Sequence, residues 1–196
     1  MLVRDVMTHH PVTVTPGTTV KEALALLARH SVAALPVVSV SGRIQGVVSE
    51  ADLIRDMVEP DARIHEIPLE TTTLDHAAYV AEVMSTHAVT VTADTDLAEA
   101  IELITSTAVK SVPVVDRHDR VTGMLSRSDV VRLLARPDDT LEAEVDAVLR
   151  SLALGDWLVE VHDGIVEVTG PEDARHRSIA RAAAATVPGI VEVRIS

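Results

Sequence analysis

The chain has 196 residues, of which 47% are hydrophobic, but it contains no Phe, one Trp and one Tyr. Its core must be built from Val, Leu, Ile, Ala and Met, which suits a mixed α/β fold. The scarcity of aromatic side chains argues against single-strand nucleic-acid binding, which relies on stacking. A formal net charge of −13 opposes binding to DNA, RNA or anionic membranes.

The lack of Cys excludes disulfides, thiolate nucleophiles and zinc–thiolate sites. The sequence shows no signal peptide and no apolar run of about 18 residues. We therefore expect a cytoplasmic protein that has no membrane partner.

The first predicted elements form a β-α-β-β-α series. In chain order they are a strand at 12–15, a turn at 16–17, a helix with Thr18 as N-cap, a strand at 35–38, a turn at 41–43, a strand at 44–48 and a helix from Ser49. Apolar residues at helical spacing, Val20, Leu24 and Leu27, support the first helix.

Residues 3–55 then repeat without a gap. Gly46-Val47-Val48-Ser49 corresponds to Gly123-Met124-Leu125-Ser126, and the offset is 123 − 46 = 77. Thr95 is the predicted N-cap equivalent to Thr18. Agreement over about fifty residues indicates a duplicated unit.

A third unit of a different kind follows a linker at 61–78 and the second copy. Its predicted elements are a helix at 140–152, strands at 157–161 and 165–169 joined by the hairpin turn Asp163-Gly164, a helix from 170 to about 187 and a strand at 190–195. The predicted domains are repeat one at 1–60, repeat two at 79–136 and this α-β-β-α-β unit at 140–196.

Each copy places a Ser and an Asp where a strand gives way to a helix, in the pattern Gly46-x-x-Ser49-x-x-Asp52 and its equivalent at 123–129. Free backbone N–H groups at a helix start favour phosphate, and a carboxylate suits a ribose diol. Ser and Asp at this spacing also cap a helix without any ligand. Recurrence in both copies favours the ligand interpretation.

The duplicated unit resembles a tandem pair of CBS domains, the Bateman module, over residues 1–136. The resemblance is carried by Asp5-Val6-Met7-Thr8, Val12-Thr13-Val14, Leu35-Pro36-Val37-Val38 and residues 46–53, and in copy two by Glu82-Val83-Met84-Ser85, residues 112–116 and residues 123–130. It implies two β-α-β-β-α units packed as a pseudo-two-fold pair and a homodimer. It also implies clefts that hold AMP, ADP, ATP or S-adenosylmethionine.

Carried over by position, the resemblance implies two ligand sites. The first comprises Thr8, His10, Val12, Val32, Ala33, Ala34, Ser49 and Asp52. The second comprises Ser85, His87, Val89, Val109, Lys110, Ser111, Ser126, Arg127 and Asp129.

The copies differ in charge. Copy one has Ala33 and Glu50 where copy two has Lys110 and Arg127. Because cations favour phosphate, we expect the Ser126/Asp129 cleft to be the better phosphate site. Both cations could instead be solvated surface charges, and a Lys of one copy can serve the other cleft.

Residues 140–196 resemble a BON domain, a small α/β unit. The resemblance is carried by Val145, Leu149, Val159-Glu160-Val161, residues 163–170, Arg177, Ala180 and residues 187–193. A basic strip is formed by Arg175, His176, Arg177 and Arg181. We interpret it as a solvated helix face in preference to a lipid or phosphate site. We expect the Trp157 side chain to fill space in the core of this unit.

These features and the resemblance predict a non-catalytic regulatory protein whose conformation or assembly responds to an adenine nucleotide or S-adenosylmethionine. The alternative is a structural dimerisation module with degenerate clefts that binds no nucleotide. We find no nucleophile–base arrangement, Walker loop or metal-ligand spacing, so no catalytic site, metal or catalytic cofactor is expected. The client protein is not predicted.

Overall fold

A computed structural model describes residues 1–55, 77–107, 109–154, 157–170 and 173–196. The fold is mixed α/β, as predicted. The chain forms two compact units. The first unit comprises Thr8–Ala93 and Ile104–Leu125, and the second comprises Met1–Met7, Asp94–Leu103 and Ser126–Ser196. These units divide the chain differently from the predicted domains, whose boundaries stay predictions. Apart from Ala77 and Ala78, the predicted linker lies outside the described residues.

The two copies have the predicted β-α-β-β-α order, with the first strand of copy one reduced to a single bridge between Val14 and Val37. Up to residue 134 the elements are a 3-10 turn (Val3–Asp5), β1 (Thr8–His9), α1 (Val20–His30), β2 (Ala34–Val38), β3 (Ile44–Ser49), α2 (Glu50–Ile54), α3 (Val80–Val83), β4 (Val91–Thr92), α4 (Leu97–Ser106), β5 (Ser111–Val115), β6 (Val121–Ser126) and α5 (Arg127–Leu134). Strands β2 and β3 pair antiparallel, and a four-stranded sheet has the order β1-β6-β5-β4.

The predicted N-caps of α1 and α4 are each wrong by one residue. Thr19, not Thr18, caps α1, because its hydroxyl accepts from the Glu22 N–H at 3.2 Å while the Glu22 carboxylate accepts from the Thr19 N–H at 3.0 Å. This capping box requires a spacing of three residues. In copy two, Asp96 rather than Thr95 precedes α4, and its Oδ1 atom accepts from the Ala98 N–H at 2.8 Å.

The core of the first unit is aliphatic. Helix α1 buries one face against β2, which is buried at all five of its positions. The buried members of this core are Val14, Val20, Ala23, Leu27, Leu35, Val37, Val48, Leu53 and Val80. A strand buried along its whole length explains the continuous apolar run from which it was predicted.

The C-terminal part has the predicted α-β-β-α-β order. Its elements are α6 (Asp138–Ser151), β7 (Leu158–His162), β8 (Ile165–Thr169), α7 (Ala174–Ala184) and β9 (Glu192–Ile195). The sheet order is β7-β8-β9. Asp163 and Gly164 both have positive φ angles, 52° and 73°, as a two-residue type I′ hairpin requires. Membership of the BON family stays a prediction.

Side chains on α7 are mostly exposed, in line with a solvated face. Arg175 and Arg177 are exposed, and Arg181 donates from Nη1 to the Val193 carbonyl oxygen at 2.7 Å. Trp157 is half-buried against the core of this part and meets the His176 ring edge-on at a centroid distance of 6.0 Å. None of the helices described is both long and apolar enough to cross a membrane.

Candidate ligand-binding cavity

The segment that follows each Val-Met pair crosses to a strand of the other copy. Thr8 in β1 pairs with Met124 in β6, and Ser85 forms a bridge with Val47 in β3. The two contacts are equivalent, since 85 − 8 = 77 and 124 − 47 = 77. Residues after Thr8 therefore lie beside copy two, and residues after Ser85 lie beside copy one.

Gly46 permits this close approach in copy one. The Ser85 N–H donates to the Val47 carbonyl at 2.9 Å, and the Val47 N–H donates to the Ser85 carbonyl at 3.0 Å. A Cβ at residue 46 would lie only 2.5 Å from the Ser85 carbonyl oxygen. The glycine of the Gly-x-x-Ser pattern therefore has a packing role that needs no ligand.

A cavity of about 370 Å³ lies in the first unit, where β3 gives way to α2. Small-molecule pockets span roughly 300–1,000 Å³, so this volume suits a compact ligand. Both copies contribute to its lining, which consists of Ala33, Ala34, Val47, Ser49, Glu50, Ala51, Asp52, Ser85, His87, Ala88, Val89, Val109, Lys110 and Ser111.

Ser49 and Asp52 form a capping box at the cavity wall. The Asp52 Oδ2 atom accepts from the Ser49 N–H at 2.9 Å and from the Ser49 hydroxyl at 2.6 Å. The capping interpretation of these residues is therefore realised in the structure. The other carboxylate oxygen, Oδ1, has no hydrogen-bond partner among the described residues. One aspartate can thus stabilise the helix and still accept from a ligand.

The start of α2 offers few donors to an anion. The Glu50 N–H donates to the Ala33 carbonyl at 3.0 Å, and the Asp52 N–H donates to the Ser49 hydroxyl at 3.3 Å. Helix α2 has only five residues, so its dipole is small. The phosphate site expected from free N–H groups at this helix start has little geometric support.

The equivalent aspartate of copy two is occupied by its own chain. Asp129 forms the same capping box with Ser126 and is only 6% exposed. Its Oδ1 atom accepts from Arg132 Nη1 at 3.1 Å. Arg55 is equivalent to Arg132, since 132 − 77 = 55, but it forms no ion pair with any residue in the described ranges. The two aspartates therefore differ in availability.

The cavity combines the two predicted residue groups rather than containing one of them. From the first group it takes Ala33, Ala34, Ser49 and Asp52, and from the second Ser85, His87, Val89, Val109, Lys110 and Ser111. The predicted residues that do not line it are Thr8, His10, Val12, Val32, Ser126, Arg127 and Asp129. The prediction placed each residue in the site of its own copy. In the structure, the segments that follow Thr8 and Ser85 each lie beside the other copy.

Two of the predicted residues pack against the core. Val12 and Val32 are half-buried against the core of the first unit. Sequence reasoning omitted Val47, Glu50, Ala51 and Ala88 from the lining. Their proximity to Ser49 and His87 in sequence was the available signal.

Because segments cross between the copies, the charge of Lys110 belongs to a different cleft from the one predicted. The preference predicted for the Ser126/Asp129 cleft depended on Lys110 and Arg127. Lys110 lines the cavity that contains Asp52, so its charge acts beside the copy-one aspartate. Glu50 lines the same cavity. In the described part of the chain, His, Asp and Glu form no group of three or more that could hold a metal ion.

Comparison with known proteins agrees with this architecture. A family model described as CBS domain matches residues 3–59 and 80–136. The chain therefore belongs to the CBS-domain family and contains a tandem CBS pair, as the resemblance predicted.

Relatives differ in how much of their length is matched. The chain is 31% identical over 142 residues to a CBS domain-containing protein of Dictyostelium discoideum, a match that covers 69% of this chain and 92% of that protein. It is 27% identical over 130 residues to inosine-5′-monophosphate dehydrogenase of Aquifex aeolicus, covering 66% of this chain but only 24% of the enzyme.

Solved structures share the fold. CBSX2 of Arabidopsis thaliana, solved in complex with AMP, is 32% identical with a TM-score of 0.56, over 67% of this chain and 93% of that one. The cytosolic domain of the Mg²⁺ channel MgtE, in complex with ATP, is 31% identical with a TM-score of 0.50, over 66% and 47%. The CBS pair of MJ0100, with 5′-methylthioadenosine and S-adenosylmethionine, is 23% identical with a TM-score of 0.56, over 68% and 98%.

Proposed function

We propose that this chain is a regulatory protein without catalytic activity that binds an adenosine compound in the cavity beside Asp52. The candidates are AMP, ADP, ATP and S-adenosylmethionine. Ligand binding would shift the conformation or assembly of the CBS pair, and an unidentified client protein would read that shift. Complexes of similar CBS pairs with AMP and ATP support this class of ligand.

The observation that carries the proposal is the position of the Asp52 carboxylate. Its Oδ1 atom can accept from ribose hydroxyls while Oδ2 stays in the capping box. Apolar side chains that suit a planar base, Val47, Val89 and Val109, line the same cavity. We therefore propose the Ser49/Asp52 cavity, rather than the Ser126/Asp129 cleft, as the principal ligand site.

A thermal-shift and calorimetric panel tests this function. AMP, ADP, ATP and S-adenosylmethionine would be compared with GMP at equal concentration. We expect at least one adenosine compound to raise the melting temperature, because a ligand that binds only the folded state stabilises it. If none of them binds, the proposal is wrong and the structural-module alternative is favoured.

We also propose that the CBS pair forms a homodimer. Ile54 and Val131, which are equivalent because 131 − 54 = 77, are 60% and 64% exposed. Leu134 is 58% exposed. Exposed apolar side chains at equivalent positions of α2 and α5 suit a surface that contacts a second copy of the chain. Light scattering should give the dimer mass for the wild type and the monomer mass for Ile54→Lys/Val131→Lys, and a wild-type monomer would contradict the proposal.

The cytoplasmic location and the BON-like identity of the C-terminal unit stay predictions. We propose that this unit transmits or receives the signal of the CBS pair. Deleting residues 140–196 would test that role in cells once a client is known.

A further inference from the structure

The cavity beside Asp52 carries more negative than positive charge. Glu50 and Asp52 contribute two carboxylates, whereas Lys110 is the only Lys or Arg in the lining that the structure describes. Neither Glu50 nor Lys110 forms an ion pair with another described residue. Among the described residues, no ion-pair partner neutralises either charge, so both can act on a bound molecule.

The acidic residue is not required by the fold. Position 127, equivalent to position 50 because 127 − 50 = 77, is the first residue of α5 and carries Arg. Glu50 is likewise the first residue of α2 and is exposed. The two copies thus build the same strand-to-helix junction with opposite charges, so the charge at residue 50 is available to select a ligand.

Donors for a polyphosphate are also scarce. Two N–H groups at the start of α2 are already bonded, that of Glu50 to Ala33 and that of Asp52 to Ser49. The Ser85 and Ser111 hydroxyls and the His87 ring are further donors in the lining. Tight binding of di- and triphosphates usually uses several cationic donors or metal ions.

We infer that this cavity selects adenosine compounds with little or no negative charge over ADP and ATP. A neutral 5′-thioether or a cationic sulfonium at the 5′ position meets no repulsion from Glu50. Each added phosphate is opposed by that carboxylate, and within the described lining Lys110 is the one Lys or Arg that offsets it. This inference rests on the proposed function, because it concerns the ligand of the same site.

Calorimetric titration at fixed ionic strength tests the selection. The probes are 5′-methylthioadenosine, which is neutral, S-adenosylmethionine, which is net cationic, AMP and ATP, all without added metal. We expect the first two to bind about tenfold or more tightly than ATP, the size of effect that one close, partly screened charge produces.

Glu50→Gln isolates the cause, since it removes the charge and keeps the shape. ATP should bind this variant about tenfold more tightly than it binds the wild type, while 5′-methylthioadenosine binds equally to both. Glu99→Gln, at an exposed residue of α4 outside the cavity lining, is the matched control and should change neither affinity.

The outcomes separate the two proposals. If ATP binds the wild type as tightly as the neutral probe does, the selection is wrong and the proposed function stands. If the preference exists but Glu50→Gln leaves it unchanged, Glu50 is not its cause and the inference fails. If no adenosine compound binds, the proposed function fails as well.

Discussion

The two copies of the CBS unit place the same Ser and Asp at the same junction, yet the two carboxylates have different surroundings. In copy one, Asp52 is half-buried at the wall of a cavity, and its Oδ1 atom has no partner among the described residues. In copy two, Asp129 is buried and accepts from Arg132. A duplicated motif therefore fixes a duplicated cap, while the two carboxylates in that cap differ in exposure and in hydrogen-bond partners.

The capping box accounts for Ser and Asp in both copies without any ligand, because each aspartate satisfies the N–H of the serine before its helix. The ligand hypothesis must therefore depend on what distinguishes the copies. That difference is the partner of the second carboxylate oxygen, Oδ1, which accepts from Arg132 in copy two and has no partner among the described residues in copy one.

A substitution at Gly46 tests how the cavity is built. Gly46→Ala should lower the free energy of unfolding by about 3 kcal/mol, because the new Cβ would overlap the Ser85 carbonyl and separate the two copies locally. Urea denaturation measures this loss. Gly17→Ala, where an added Cβ meets nothing within 4 Å, is the control and should change stability by less than about 0.5 kcal/mol. Equal stability of both variants would show that the close approach of Gly46 to Ser85 does not hold the Ser85 segment against β3.

The next prediction concerns burial of the two aspartates. Asp129→Asn should lower the free energy of unfolding by about 2 kcal/mol, because a buried carboxylate loses its charge-assisted hydrogen bonds. Asp52 is half-buried and only one of its carboxylate oxygens is bonded to a described residue. Asp52→Asn should therefore lower the free energy of unfolding by only about 1 kcal/mol. A larger loss for Asp52→Asn in the same urea titrations would reverse the comparison.

A double-mutant cycle sharpens the difference further. Removing Arg132 and Asp129 singly and together should give a coupling energy of about 0.5 kcal/mol, since Arg132 is largely exposed. The matched cycle for Arg55 and Asp52 should give a coupling near zero. Equal coupling in both cycles would mean that the arginine does not distinguish the copies.

The smallest effect concerns the turns between the paired strands. Asp116 accepts from the backbone N–H groups of Arg120 and His118, and the first of these bonds is the main cause of the lowered pKa of its carboxyl. Ser39 holds the equivalent position, since 116 − 77 = 39, and has no charge to lose. A lowered folded pKa gives stability that is present above the unfolded pKa and lost as pH falls through the folded one.

We therefore expect the turn at 116–120 to open more readily below about pH 4, the ordinary range of an Asp carboxyl, while the turn at 39–43 stays unchanged. Amide hydrogen exchange at pH 6 and pH 3 measures both turns in one sample. Asp116→Ser should remove the pH dependence, and a dependence that persists in this variant would need another cause.

Much of the fold could be predicted because its determinants are local. The apolar run at 35–38 and the Asp163-Gly164 turn each specify one element through burial or φ angle, and both are found as predicted. The caps of α1 and α4 were missed by one residue because adjacent polar residues compete for the position. Only the three-residue spacing to Glu22 distinguishes Thr19 from Thr18.

The cavity could be predicted only in part, since it depends on pairing across 77 positions. Ser49 and Asp52 stood out because the pattern recurs. That Ser85 pairs with Val47, and that Lys110 acts beside Asp52, follows from an exchange of segments that periodicity does not encode. The Arg132 contact was equally hidden, because Arg55 holds the same position in copy one.

Titration of paired aspartate variants tests whether the ligand binds beside Asp52. Wild type, Asp52→Asn and Asp129→Asn would each be titrated with AMP and with S-adenosylmethionine in a calorimeter, after circular dichroism has shown all three to be folded. We expect Asp52→Asn to weaken binding of whichever compound the wild type binds by about tenfold or more, the value of a charge-assisted hydrogen bond. We expect Asp129→Asn to leave that affinity unchanged. Loss of binding in Asp129→Asn with full affinity in Asp52→Asn would contradict the assignment of the ligand to the copy-one cavity.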